Sequence, residues 1–383
     1  MKYLTLGFVP MLFFYVHLSA ANTYEDFSFA DKLALNAPVS ATQSIESLAA
    51  FAKANTKTES ELARFYFVWL AQNVHYDNAE ITATKRTTSK QEPKNVFESR
   101  KAICRGYSDL FSLLCQRSNL VAQTVIGYAN SGASSSLTEE LHAWNAVQIA
   151  DKWLLLDVTW ASNYLDENGS LDDRFNAYFK QEGKAFSKKH FPFDPVWQLS
   201  TFVKSSAEFF AESNASGTEG VSFQRKLLGD YDKILENDAK MDANERSLRS
   251  YERAILFLPD EKRLYDVLNY FKSEKAHVLF NKADILLDKF RKMEDDAAQR
   301  WSFEDVKTMI QEAQFAQNCL EKALDLYNSM HETDNILGVQ LKKTNLFSIQ
   351  KNLTACQKLN DYLASVLSQK KEVSVARTRS SKH

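Results

Sequence analysis

The chain has 383 residues, of which 44% are hydrophobic and 25% are charged. This length is enough for two ordinary domains, and the composition excludes wholesale disorder. The formal net charge is −2 and no region forms a long basic stripe, which excludes a chain built around nucleic-acid binding.

The first 21 residues have the pattern of a signal peptide. Lys2 gives a positive start, Leu4 to Val16 is mostly apolar, and Ser19 and Ala21 place small side chains at the spacing of a cleavage site. The apolar stretch is too short to span a bilayer comfortably, and no later window is apolar enough to do so. The sequence therefore predicts a secreted or periplasmic protein without a stable membrane span. An uncleaved N-terminal anchor is the alternative.

Two helices are predicted in the part that follows. Between Glu59 and Asn73 the apolar residues recur at helical spacing and form one face. A second amphipathic helix is expected from Cys104 to Arg117, with Tyr107 and Leu114 on its buried side. The segment between these helices, Thr82 to Lys94, is polar and lacks periodicity, so we expect a surface loop there.

The period then changes from that of a helix to that of a strand. Val121 to Tyr128 is predicted to be a strand, and two more strands, His142 to Ile149 and Trp153 to Thr159, flank a tight turn. The aromatic, proline-containing block from Phe175 to Phe210 is expected to cover the core as loops and short helices. Helices followed by strands predict an α+β domain with an antiparallel sheet.

The second half has the composition of an all-α helical domain, because glycine and β-branched residues are scarce there. A stretch rich in Ser, Gly and Asn precedes it and predicts a linker, and the polar, basic end of the chain predicts a disordered tail. Cys319 and Cys356 lie on separate predicted helices that a bundle can bring side by side, so the sequence allows a disulfide. The predicted organisation is a signal peptide at 1–21, an α+β domain at 22–211, a linker at 212–220, a helical domain at 221–371 and a disordered tail at 372–383.

Cys104 is the candidate nucleophile. It opens a predicted helix and lies between Lys101 and Arg105. Both the free N–H groups of a helix start and nearby cations favour thiolate over thiol, and the thiolate is the form that attacks. The alternative is a cysteine that acts as a small buried hydrophobic residue, which is our interpretation of Cys115 farther along the same helix.

His142 and Asp157 supply the base and the orienting carboxylate that such a nucleophile needs. If the turn between the strands has two residues, Ile149 opposes Lys152, and Asp157 becomes a diagonal neighbour of His142 on the same face. A simple hairpin then brings the two side chains within reach of each other. Together with Cys104 they form the nucleophile, base and orienter of an acyl-transfer enzyme.

The sequence around these residues resembles the transglutaminase-like superfamily, in particular its kyphoscoliosis-peptidase-like and bacterial members. The resemblance covers about residues 59 to 210, with Ala102 and Arg105 as two departures from the usual pattern next to Cys104. The runs that carry it are WLAQNVHYD (69–77), VFESRKAICRGYSDL (96–110), Val125–Tyr128, HAWNAVQIADKWLLLDVTW (142–160), Tyr178–Phe179 and HFPFDPVWQL (190–199).

The resemblance implies a papain-like α+β domain in which Cys104 is the nucleophile, His142 the general base and acid, and Asp157 the orienter. It implies an enzyme that attacks amide bonds of peptides or proteins through a thioester. The acceptor stays open between water, as in a peptidase or amidase, and an amine, as in a transglutaminase. The backbone N–H of Cys104 is one candidate oxyanion donor, and a Trp, Gln or Asn side chain is expected to be the other.

No cofactor and no metal are predicted. The sequence lacks the calcium-site blocks of the large animal transglutaminases, and it has no CxxC motif or clustered Cys/His pair. The other conspicuous residues are expected to be structural. Trp69, Trp144 and Trp160 are interpreted as core or hairpin packing rather than a substrate cage, and His75 and His190 have no evident partner.

A second hypothesis for the whole chain is a non-catalytic scaffold. Such a protein would use the transglutaminase-like fold for binding, and its helical domain would contact a protein partner. Labelling of the Cys104 thiol near neutral pH separates the two hypotheses, because a catalytic thiol reacts fast and a buried structural thiol reacts slowly.

Overall fold

The structure is a computed structural model that describes residues 25–82, 88–130, 140–165, 171, 173–213, 226–293, 297–332 and 336–380. The predicted signal peptide, and the predicted linker from residue 214 onward, lie outside these ranges. The helices of the first half are α1 (Ser28–Leu35), α2 (Ile45–Asn55), α3 (Glu59–Asn73), α4 (Asn78–Thr82), α5 (Pro93–Ser99), α6 (Cys104–Arg117), α7 (Val158–Ser162), α8 (Asp173–Asn176), α9 (Gly183–Phe186) and α10 (Ser206–Ser213). The helices of the second half are α11 (Tyr231–Ala239), α12 (Ala243–Phe257), α13 (Lys262–Arg291), α14 (Ala297–Arg300), α15 (Phe303–Asn328) and α16 (Ile336–Ser380). The strands are β1 (His75–Tyr76), β2 (Lys101–Ala102), β3 (Ala122–Ala129), β4 (Glu140–Ile149), β5 (Lys152–Leu156), β6 (His190–Pro192), β7 (Phe202–Val203) and β8 (Lys226–Leu227).

A four-stranded antiparallel sheet forms the centre of the first half, in the order β5–β4–β3–β6. Helix α6 has the predicted bounds and packs against β3 and β4. The side-chain amide of Asn145 on β4 holds it there by donating to the Ser108 carbonyl over 2.9 Å. The α+β class and the antiparallel sheet that the sequence predicted are therefore confirmed.

The hairpin of β4 and β5 has the register that a two-residue turn predicts. Ile149 pairs with Lys152, and the two residues between them, Ala150 and Asp151, have φ of 48° and 62°. Positive φ at both central positions defines a type I′ turn, whose twist matches the strands. The third predicted strand ends earlier than expected, because the Asp157 side chain accepts the Trp160 N–H and starts helix α7.

Helix α3 has the predicted bounds, but its burial is wider than the single apolar face that the sequence predicted. Leu62 to Ala71 are all buried, because α1, α2, α6 and α7 surround the helix. Arg64 is buried with them. Its guanidinium pairs with Asp31 over 2.6 Å and lies over four aromatic rings, which compensates for the loss of water.

Two expectations from composition are wrong. The loop predicted for Thr82–Lys94 contains a 3-10 helix at Thr88–Gln91, and α5 begins at Pro93, whose fixed φ suits the first helical position. The tail predicted to be disordered is helical as far as Ser380. No glycine or proline follows Gly338 to end helix α16.

The second half is helical, and α13, α15 and α16 pack around a core of its own. Cys319 and Cys356 both lie in this core as free thiols, so the disulfide that the sequence allowed is not formed. Helix α12 connects the halves: the Arg253 guanidinium pairs with Asp194 of the first half over 2.7 Å and with Asp238 of α11 over 2.6 Å. Among the described residues, none of the helices combines the length and apolar character that crossing a membrane requires.

Candidate active site

Cys104 is the first residue of α6 and is partly buried. The preceding residue, Ile103, is the N-cap, in an extended conformation with φ −91° and ψ 177°. The first turn of the helix is tightly enclosed at Gly106, where a Cβ atom would lie 2.5 Å from Oε1 of Gln91. The helix start thus places the Cys104 thiol beside free backbone N–H groups. The Gln91 side chain lies close to the same helical turn, at Gly106.

His142 lies on β4 and is 7% exposed. Its Nε2 is 2.8 Å from Oδ2 of Asp157, which is the diagonal neighbour that the hairpin register predicted. Because Nε2 donates to the carboxylate, Nδ1 is left for the hydrogen bond between the ring and the Cys104 thiol. Burial lowers the pKa of His142, but the Asp157 carboxylate, helped by Cys104, outweighs burial and raises the pKa above its usual range.

Asp157 is fully buried and its two oxygens accept three hydrogen bonds. Oδ1 accepts the Trp160 backbone N–H over 3.0 Å, and Oδ2 accepts from His142 and, over 2.9 Å, from Nε2 of His190. Burial raises the pKa of this carboxyl group, but the two histidines outweigh burial and hold the pKa well below its usual range. Asp157 is therefore a stable anion in the folded protein.

His190 was expected to be structural, and the structure brings it into the site. It lies on β6, is 2% exposed and stacks on Phe186 with ring centroids 3.9 Å apart. Burial lowers its pKa, so it is a neutral donor to Asp157. No local pattern pointed to this contact, although His190 opens the last run of the family resemblance. His75 lies on the exposed strand β1, away from this cluster.

Tryptophans enclose the histidines. Trp160 stacks on the His142 ring with centroids 5.0 Å apart, and Trp144 is buried against His190 at 4.9 Å. Trp69 stacks on Phe97 at 5.6 Å in the core around α3. Core packing was the right interpretation for Trp69 and Trp144. Trp160 also packs against the core around α3, and in addition it covers the His142 ring. Its cover shields the bond between His142 and Asp157 from water.

Gln91 lies next to the start of α6, in a segment for which the sequence predicted only a loop. The Ile103 backbone N–H donates to its Oε1 over 3.0 Å, which fixes which end of the carboxamide is the oxygen. Nε2 has no hydrogen-bond partner within the described part of the chain. Gln91 therefore offers a free N–H₂ donor close to Ile103, the residue that precedes Cys104.

His142, Asp157 and His190 also meet the spacing of a metal site, since one ligand atom from each lies within 4.8 Å of the others. Hydrogen bonds already account for the arrangement. Each histidine Nε2 lies within 2.9 Å of the same Asp157 oxygen, and a proton fills each contact. A metal ion would have to displace both protons and separate His142 from its carboxylate.

Comparison with known proteins finds relatives of the first half of the chain. The model of the transglutaminase-like superfamily matches residues 46–158, which include Cys104, His142 and Asp157. Human kyphoscoliosis peptidase is 30% identical over 179 residues, which are 45% of this chain and 26% of that protein. Hillarin from Drosophila melanogaster is 22% identical over 195 residues, which are 45% of this chain and 23% of hillarin. The match thus spans about a quarter of the length of these curated relatives.

Among solved structures, the crystal structure of a TGase is 19% identical with a TM-score of 0.24, over 42% of this chain and 39% of that one. The family model and the kyphoscoliosis peptidase relatives thus show that the first half of the chain is similar to the transglutaminase-like superfamily.

Proposed function

We propose that the chain is an exported cysteine enzyme that attacks amide bonds of peptides or proteins with the Cys104 thiol. The observation that carries the proposal is the hydrogen bond of 2.8 Å between Nε2 of His142 and Asp157, which leaves Nδ1 for the thiol. Export is proposed from the N-terminal sequence pattern alone.

The raised pKa of His142 favours an imidazolium beside Cys104 at neutral pH. In the first step the sulfur attacks the amide carbonyl, and the C=O electron pair moves to oxygen. The backbone N–H of Cys104 and Nε2 of Gln91 are the donors proposed for this oxyanion. When the carbonyl reforms, the C–N bond breaks, His142 gives its proton to the leaving amine, and a thioester remains on Cys104.

The second step resolves the thioester. Water or an amine attacks the acyl carbon, His142 takes the proton of the attacking group, and the Cys104 thiolate leaves. Water completes hydrolysis and an amine completes acyl transfer. The name of the human relative, kyphoscoliosis peptidase, supports water as the acceptor. Throughout, Asp157 holds the His142 ring and stabilises its charge.

The test offers peptide amides with and without a primary amine, and follows hydrolysis and cross-linking separately. We expect Cys104→Ala and His142→Ala each to abolish turnover, and the double variant to be little worse than either, because the two residues act as a unit. Cys115→Ala is the matched control, since this thiol is fully buried in the same helix. No turnover of any amide, together with a retained biological role in Cys104→Ala, would establish the scaffold hypothesis instead.

A further inference from the structure

Strand β3 has an edge that its neighbours leave partly open. β4 pairs with all of β3, from Ala122 to Ala129, whereas β6 pairs only from Gly127 onward. One further backbone bond, from the Phe193 N–H to the Ile126 carbonyl over 2.9 Å, extends that contact by one residue. The edge of β3 before Ile126 has no strand beside it in the described part of the chain.

The register shows which backbone groups this edge presents. The Gln148 N–H donates to the Val121 carbonyl over 2.9 Å, so the odd-numbered residues of β3 face β4. In a strand the N–H and C=O of successive residues point to alternate edges, so Ala122 and Thr124 face the open side. Among the described residues, nothing hydrogen-bonds to these four backbone groups. They form a short row of alternating donors and acceptors.

The open edge lies in a cavity of about 620 Å³ between the two halves of the chain. One wall is β3, the opposite wall is α12 with Arg246 and Tyr251, and Trp153 and Trp197 form an apolar side. These two indoles pack edge to face at 5.1 Å. The cavity reaches Arg105, the residue after the candidate nucleophile. Its volume is in the range of ordinary ligand sites.

The polar groups that line the cavity indicate which kind of ligand it can bind. Unpaired N–H and C=O groups at strand spacing are satisfied by another extended backbone, as in peptides that add a strand to a sheet edge. Two other arginines line the same cavity, and both are paired: Arg253 with the two carboxylates of Asp194 and Asp238, and Arg105 with Asp109. Arg246 is partly exposed and has no ion-pair partner among the described residues, so it favours an acidic side chain in the occupant.

We propose that this cavity binds an extended, acidic peptide segment as an additional strand on Ala122–Thr124. The further statement that the segment belongs to the polypeptide acted on by Cys104 rests on the proposed function. In that case the cavity selects substrates by a stretch some residues away from the amide bond that reacts.

Binding is measured by fluorescence anisotropy with the full chain carrying Cys104→Ala, so that no turnover occurs. The probe is a blocked, fluorescein-labelled octapeptide of alternating Thr and Val with two central Glu residues. Ala122→Pro removes an N–H that faces the cavity and leaves the β4 ladder intact, so we expect at least about tenfold weaker binding. Ala122→Ser keeps the N–H and is the matched control, with unchanged affinity.

A second measurement keeps the test valid if Ala122→Pro fails to fold. One octapeptide is N-methylated at its odd positions and another at its even positions. An added strand turns only one of these two sets of N–H groups toward β3, so one octapeptide should lose affinity and the other should keep it. Arg246→Ala should weaken the Glu peptide and leave its Gln counterpart unchanged. Three results would each overturn the proposal. They are the absence of binding at millimolar probe, equal affinity for the two N-methylated octapeptides, and equal affinity of Ala122→Pro and Ala122→Ser.

The two proposals fail separately. Peptide binding that depends on Ala122, without turnover of any amide by the unmutated chain, would remove the catalytic function and keep the binding site. Turnover with unchanged KM in Ala122→Pro would keep the enzyme and remove the statement that the bound segment belongs to its substrate.

Discussion

His190 donates to the same oxygen of Asp157 that receives the His142 N–H, over 2.9 Å and 2.8 Å. A buried carboxylate oxygen thus holds two imidazoles at once, one facing the thiol and one packed on Phe186. Among the described residues, no hydrogen bond joins this second imidazole to Cys104, so its proposed role is to position Asp157.

We expect His190→Phe to lower kcat while KM stays nearly constant. Phenylalanine keeps the aromatic packing but removes one charge-assisted hydrogen bond, a loss of about 1.5–3 kcal/mol, and a tenfold or greater fall in kcat follows if Asp157 loses its orientation. His75→Ala is the control, because this side chain is exposed on β1. A His190→Phe enzyme with unchanged kcat would show that His142 and Trp160 suffice to hold the carboxylate.

The pairing of His142 with Asp157 could be predicted from sequence, whereas the contacts of His190 and Gln91 could not. A two-residue turn fixes the register of a hairpin, and register decides which side chains are diagonal neighbours. His190 reaches Asp157 from β6, which is 33 residues away, and Gln91 reaches Ile103 from a short 3-10 helix. Neither segment has the periodicity that fixes a side chain's direction. Their positions depend on tertiary packing that one sequence does not encode locally.

The pH dependence of kcat/KM is expected to follow the raised pKa of His142. Asp157 stabilises the imidazolium, so this interaction is present at low pH and is lost as the pH rises through the raised pKa. The alkaline limb of the profile should therefore lie well above about 6.5, the usual value for histidine. In Asp157→Asn the carboxylate is gone and, of the groups that raise the pKa of His142, Cys104 remains to oppose burial, so the alkaline limb should move to lower pH. A limb that stays in place in Asp157→Asn would mean that another group sets it.

Arg253 is expected to hold the two halves together. Its removal in Arg253→Met leaves Asp194, whose side chain is 5% exposed, without its cation, and burial already raises the pKa of this carboxyl group. Leaving a buried charge without its partner lowers the free energy of unfolding by about 3–5 kcal/mol. Denaturant unfolding measures this loss. Arg249→Met on the same helix is the control: its side chain is 54% exposed, so a change within about 0.5 kcal/mol is expected.

The ion pairs of Arg253 also determine what we expect after cleavage of the predicted linker at 212–220. Its composition makes it the expected site of first cleavage in limited proteolysis. Because Arg253 bridges the halves, we expect the two fragments to stay associated after cleavage and to separate in Arg253→Met. Fragments that separate at once in the unmutated chain would show that the ion pairs do not couple the halves.

The two hydrogen-bonding groups of the Gln91 side chain can be separated by a single substitution. Its Oε1 accepts the Ile103 N–H, and its Nε2 is the donor proposed for the oxyanion, so the two ends of one carboxamide have separate tasks. Gln91→Glu keeps an acceptor for Ile103 but loses the donor and places negative charge near the developing oxyanion. We expect kcat to fall about 10²–10³-fold with little change in KM, since the lost interaction exists only in the transition state. Gln91→Ala loses both tasks and should also reduce stability, whereas the exposed Gln43→Ala should change neither. Equal kcat in Gln91→Glu and the unmutated chain would mean that the second oxyanion donor lies elsewhere.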